Sequence, residues 1–169
     1  MTHGLVKAGL VVIVSLSSWG AWARETPSHQ FITKAIQGNL AEISLGQLAQ
    51  ERGGTDGVKS FGQMLVQDHS AAKDQATAAA TSAQVTPPTE PSRAQKSEHD
   101  RLSKLSGDAF DRQFIAHMVT DHKKDIAEYQ KEAKRSDGAI SDYAKGALPT
   151  LQKHLDTAQS LEKQEKAAR

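Results

Sequence analysis

The chain carries seven histidines and no cysteine. Without thiols it has no disulfide, zinc–thiolate site, iron–sulfur cluster or cysteine nucleophile. Imidazole and carboxylate are left to do any metal or proton chemistry. Four such groups stand out by their placement: Glu42, His69, His122 and His154. With residues set about 100° apart on a helical wheel, each falls on the apolar face of its own amphipathic stretch. Glu42 lies among Phe31, Ile32, Ala35, Ile43, Gly46 and Ala49. Val58, Leu65, Ala72 and Ala76 surround His69. Phe114, Met118, Ile126 and Tyr129 bracket His122, and Asp125 also points inward there. Ile140, Ala147, Leu151, Leu155 and Ala158 flank His154.

Each of the four lies roughly 14 to 16 residues from the start of its stretch, or about 21–24 Å at 1.5 Å per residue. Mid-helix residues of similar helices meet at one level in a bundle, whichever way each helix runs. The four side chains are therefore expected to converge. Burying a carboxylate and three imidazoles without partners is costly, and a shared metal ion would satisfy all of them. Three imidazoles and one carboxylate suit zinc, copper or iron, whereas calcium and magnesium prefer oxygen ligands. Asp68 and Asp121 sit next to histidines at the edge of the face, placed to accept the second ring N–H of a histidine on a neighbouring helix. Asp125, Tyr129 and Tyr143 are further candidates for such support. His117 lies off the apolar face, an edge ligand at most and more simply solvent-exposed. His29 and His99 fall on terminal or polar stretches. Met64 and Met118 read as packing rather than as copper ligands.

The elements that must position these groups are all helical. The periodicity predicts long helices over Ser28–Arg52, Thr55–Ala83, Asp108–Arg135 and Ala139–Lys166. Gly53-Gly54 stops the first, Thr55 or Asp56 caps the second, and Asp108 caps the third. Pro149 should kink the fourth. The run Thr86-Pro87-Pro88-Thr89-Glu90-Pro91 cannot continue a helix. Beyond it, Ser92 to Leu105 predicts a short polar helix within a long connection. The expected fold is an all-α four-helix bundle with that extra helix between the second and third long ones. Phe61-Gly-Gln-Met-Leu-Val-Gln-Asp68-His69 aligns without a gap on Phe114-Ile-Ala-His-Met-Val-Thr-Asp121-His122. Both read F-x-x-x-[LM]-V-x-D-H, which suggests a duplicated helical hairpin.

Composition agrees with one helical domain after a leader. Of 169 residues, 5% are aromatic and 24% charged, and the formal charge of +1 lacks the basic excess of a nucleic-acid binder. Met1 to Lys7 and the apolar Ala8 to Ser18 read as the first parts of a signal peptide. Ala21-Trp22-Ala23 supplies the small-x-small site, predicting a leader over 1–23, cleavage before Arg24 and a single bundle domain over 24–169. The apolar run falls short of the roughly 20 residues a membrane span needs. The expected location is the periplasm, with no stable membrane insertion after cleavage.

The elements Glu42-x-x-Leu-Gly-x-Leu-Ala, Met64-x-x-x-Asp68-His69, Met118-Val-x-Asp-His122 and Leu148-Pro-x-Leu-x-x-His154 together resemble the domain-of-unknown-function family numbered 4142. The resemblance runs from about Gln30 to Leu161. Its members are exported bacterial proteins, often labelled predicted outer-membrane proteins and grouped with ferritin-like bundles. That implies a ferritin-like bundle and export, but no activity. Di-iron bundles of the ferritin type use Glu-x-x-His pairs. Here Val66, Val119 and Leu151 stand three residues before the histidines, so an oxygen-rich di-iron set is not expected.

The leading expectation is a periplasmic protein that binds a transition metal, buffering, sensing or scavenging it. The alternative is a metal-free structural or interaction module of the stress-exposed cell envelope. Catalysis is the least supported class, because no Ser-His-Asp arrangement, phosphate-binding glycine loop or H-E-x-x-H motif is present.

Overall fold

A computed structural model describes residues 26–136 and 138–167. The leader expected over 1–23, and its cleavage point, lie outside the described residues. Five helices make up the fold: α1 Pro27–Arg52, α2 Asp56–Ser82, α3 Arg93–Leu102, α4 Gly107–Ala133 and α5 Ala139–Ala167. Among the described residues there is no strand, apart from an isolated bridge between Gly53 and Gly107. The all-α class and the short helix in the long connection both agree with the sequence reading.

Local chemistry sets most of the helix starts. Thr26 accepts the His29 N–H at 3.1 Å ahead of Pro27, which suits the first helical position. Thr55 accepts the Val58 N–H at the head of α2. Ser92 and Gln95 form a reciprocal capping box on α3. The start of α4 differs from the sequence reading: its N-cap is Ser106, without a side-chain cap bond, and Asp108 lies in the first turn. There its negative charge still faces the positive end of the helix. α5 runs through Pro149 as one helix.

The end of α1 meets the start of α4 at the Gly53–Gly107 bridge, while Phe31 near the start of α1 packs edge-on against Tyr129 near the end of α4. α1 and α4 are therefore antiparallel. α2 and α4 both begin at that same end and run the same way, so the connection carrying α3 must travel back along the bundle. Each long helix packs beside two antiparallel neighbours, and α2 and α4 occupy one diagonal. Phe61 and Phe114 meet across that diagonal with ring centroids 6.0 Å apart. These are equivalent positions of the sequence repeat. A tandem hairpin duplication would instead match α2 with α5, so the repeat reflects two facing helices rather than a copied hairpin.

Gly46 and Gly62 bring α1 and α2 together; a Cβ on either would lie 2.6 Å from the other's backbone oxygen. On α1 the expected face is buried except for Ile43, which is half-buried, and Leu45 and Leu48 join it. The apolar core is divided in two. One part holds Phe61, Leu65, Phe110, Phe114 and Met118; the other holds Ile32, Ile36, Ala80, Tyr129 and Ala144. Between them runs a polar layer of Asn39, Glu42, His69, His122 and His154, each at most 5% exposed.

Asp111, which is 1% exposed, ties the α1–α2 turn to α4. Its carboxylate accepts the Gly54 N–H at 2.8 Å, the Thr55 N–H at 3.0 Å and the Thr55 hydroxyl at 2.9 Å. Bonds to a charged acceptor are among the stronger ones, and their donors are left unsatisfied when it is removed. Asp111→Ala is expected to cost about 2–3 kcal/mol in urea unfolding with an unchanged m-value. A loss below about 0.5 kcal/mol, the range of an ordinary surface change, would refute this role.

Candidate metal centre

α2, α4 and α5 each bring one histidine to the polar layer. One ring nitrogen from each of His69, His122 and His154 lies within 4.8 Å of the other two. The ring centroids are 5.1 Å apart for His69–His154, 5.3 Å for His122–His154 and 5.9 Å for His69–His122. All three side chains are buried.

What each imidazole does on its outer side decides what it presents inward. The Asn39 amide donates to the Tyr143 hydroxyl at 3.0 Å, so its oxygen faces His69 Nδ1 at 2.8 Å and must accept a proton from it. His122 Nδ1 lies 3.1 Å from the Met118 carbonyl, which can only accept. His154 Nε2 lies 2.9 Å from the Asp68 carboxylate, again an acceptor. Each neutral ring has one N–H, and each spends it outward. The nitrogens left over are His69 Nε2, His122 Nε2 and His154 Nδ1, all lone-pair acceptors. With the rings neutral, His122 Nε2 and His154 Nδ1 face each other as two acceptors at 3.3 Å. His69 Nε2 is buried and has no hydrogen-bond partner.

This arrangement fits a metal ion. Two imidazole nitrogens bound about 2.0–2.1 Å from a tetrahedral centre stand about 3.3 Å apart. The pair already has that spacing, and a ring nitrogen of His69 lies within 4.8 Å of both. The outward partners are the kind that hold metal-binding histidines in one tautomer.

A second proton on any of these rings is disfavoured. Burial, then the neighbouring His154 and His122, holds His69 well below the usual imidazole range. Burial and His154 bring His122 down to about 4, against the opposing pull of the Met118 carbonyl. Burial also lowers His154, although Asp68 favours its charged form.

Glu42 is not among the atoms brought together; it stands one turn along α1 from Asn39. With His69, Asp121 and Asp125 it lines a cavity of about 490 Å³ between α1, α3 and α4. Its Oε2 is buried with no hydrogen-bond partner. Burial, then Asp121 and Asp125, raises its carboxyl well above the ordinary range. Burial and Asp121 push Asp125 up to about 7. Asp68 supports His154, while Asp121 lies on the cavity wall. Tyr129 and Tyr143 share a hydrogen bond at 3.1 Å and reach the trio through Asn39. His117 is half-buried, not solvent-exposed, with Nδ1 3.6 Å from Glu98. His29 and His99 are half-buried and away from the trio. The sequence reading passed over Asn39, although a polar residue one turn before Glu42 on an apolar face was a usable signal.

The family model described as a domain of unknown function, DUF4142, matches residues 20–161. The chain belongs to that family. Comparison with curated proteins and with solved structures finds no match. Family membership assigns no activity, so the chemistry rests on the trio.

The depressed His122 makes a prediction for metal-free protein. Between about pH 4 and 6.5 the unfolded chain binds more protons at this residue than the native state does, so its contribution to stability rises with pH across that window. His122→Gln should flatten the pH dependence of urea stability there, gaining on the wild type as pH falls from 6.5 to 4. Parallel wild-type and variant curves would contradict a neutral, buried His122.

Proposed function

We propose that this is an exported, ferritin-like bundle protein whose core binds one transition-metal ion through His69, His122 and His154. The observation that carries the reading is the convergence of three acceptor nitrogens whose protons are all committed outward. Three neutral imidazoles suit zinc, copper or iron. A bound ion supplies the positive charge that the three lone pairs lack. Asp68, Asn39 and the Met118 carbonyl hold the rings in the tautomers that bind it. Because burial keeps the imidazoles neutral near neutral pH, metal need not displace a second proton from them.

Export is supported by the leader-like order of Ala8 to Ser18 and Ala21-Trp22-Ala23. No described helix is long and apolar enough to cross a membrane. The ferritin-like grouping is supported by the parallel α2 and α4 and the long connection between them. In the periplasm such a protein would buffer, sense or scavenge its metal.

Calorimetric titration of metal-free protein with zinc should give one equivalent bound by the wild type. A triple variant with His69, His122 and His154 replaced by alanine should bind none while keeping its helical circular dichroism. Free zinc at a hundred times Kd should stabilise the wild type by about 2.7 kcal/mol and leave the variant unchanged. If the folded wild type takes up neither zinc, copper nor iron, the metal reading fails and a metal-free interaction module with a buried polar network takes its place.

A further inference from the structure

Three buried side-chain atoms among the described residues have no hydrogen-bond partner: Glu42 Oε2, His69 Nε2 and Glu132 Oε1. The first two belong to residues that line the same cavity of about 490 Å³. Glu42 is 3% exposed, and its carboxyl interacts repulsively with Asp121 and Asp125 across that space. Five carboxylates and two lysines line the cavity. The trio's other two members, His122 and His154, do not reach it, so His69 is the side of the trio that the cavity touches.

We infer that this cavity is the route by which a divalent transition-metal ion reaches the trio, with Glu42, Asp121 and Asp125 as the relay ligands that pass it to His69. The inference rests on the metal reading above and adds to it a transient position that the ion occupies on its way in. Carboxylates hold a hydrated ion without demanding complete loss of its water, and imidazoles then take it as the softer, drier site. At about 30 Å³ per water, a cavity of about 490 Å³ has room for a hydrated ion. Carboxylates outnumber lysines five to two in the lining, and an excess of one sign in a cleft concentrates the opposite ion and raises its rate of arrival by about tenfold. The ion also offers Glu42 the partner its buried oxygen lacks. No covalent bond is made or broken; the ion exchanges carboxylate and water ligands for imidazole nitrogens.

The test is the rate of cobalt(II) uptake by the full chain, followed by stopped-flow visible absorption of the tetrahedral complex, with release measured on adding a chelator. Glu42→Gln should slow uptake and release together by about tenfold and leave the dissociation constant unchanged. Asp125→Asn at the cavity wall should act in the same direction. It carries the test alone if circular dichroism shows that Glu42→Gln does not fold. Unchanged rates in folded variants would overturn the inference while leaving the trio as a metal site. Faster release and a weaker dissociation constant in Glu42→Gln would also overturn it, making Glu42 a direct ligand of the trio-bound ion. Failure of the wild type to bind cobalt or zinc at all would remove the metal reading and this inference with it.

Discussion

Asp68 holds the Nε2 proton of His154, Asn39 holds the Nδ1 proton of His69, and the Met118 carbonyl holds the Nδ1 proton of His122. These three outward bonds constrain everything at the centre of the bundle. They turn three imidazoles otherwise able to bond to one another into three acceptors with nothing to accept. The layer lies between two apolar clusters, where an unsatisfied acceptor is most costly. A protein selected for stability alone would gain by filling this layer with leucine. Its outer partners come from α1, α2 and α4, so the bundle's register and the site's geometry are one problem.

The topology follows the same requirement. α2 and α4 face each other along a diagonal and run in one direction, so their matching Phe and His positions arrive at matching heights. The long connection then has to return along the bundle, and α3 within it walls the acidic cavity beside α1 and α4. Asp111 anchors the end where α1, α2 and α4 meet. The repeat thus gives two similar histidines, while the residues around them differ: Asp68 turns to His154, and Asp121 faces the cavity.

Much of this was legible in the residues. Apolar periodicity located four long helices, and the proline run located the break between α2 and α3. Equal depth along the helices picked out His69, His122 and His154, because register in a bundle depends mainly on rise per residue. Depth alone does not fix azimuth, which is why Glu42 read as a member of the same cluster. In the structure it stands about one turn from Asn39 and opens into the cavity. The expected face of α1 is buried apart from Ile43: beside the Gly46–Gly62 approach, Leu45 and Leu48 fill the core and Ile43 is half-buried. Asn39 and Asp111 act through partners 30 and 57 residues away in sequence, so a polar residue on an apolar face can mark Asn39 without naming what it bonds.

The measurement that bears most directly on the account is the protonation state of the three imidazoles in metal-free protein near neutral pH, read from nitrogen-15 shifts and long-range couplings of the ring nitrogens. Three neutral rings are expected, with the proton on Nδ1 in His69 and His122 and on Nε2 in His154. On adding zinc, the shifts of His69 Nε2, His122 Nε2 and His154 Nδ1 should move while the outer N–H groups stay in place. A doubly protonated His154, donating through Nδ1 to His122, would contradict it. The centre would then be a closed hydrogen-bond network completed by a proton, with no set of lone pairs waiting for a metal.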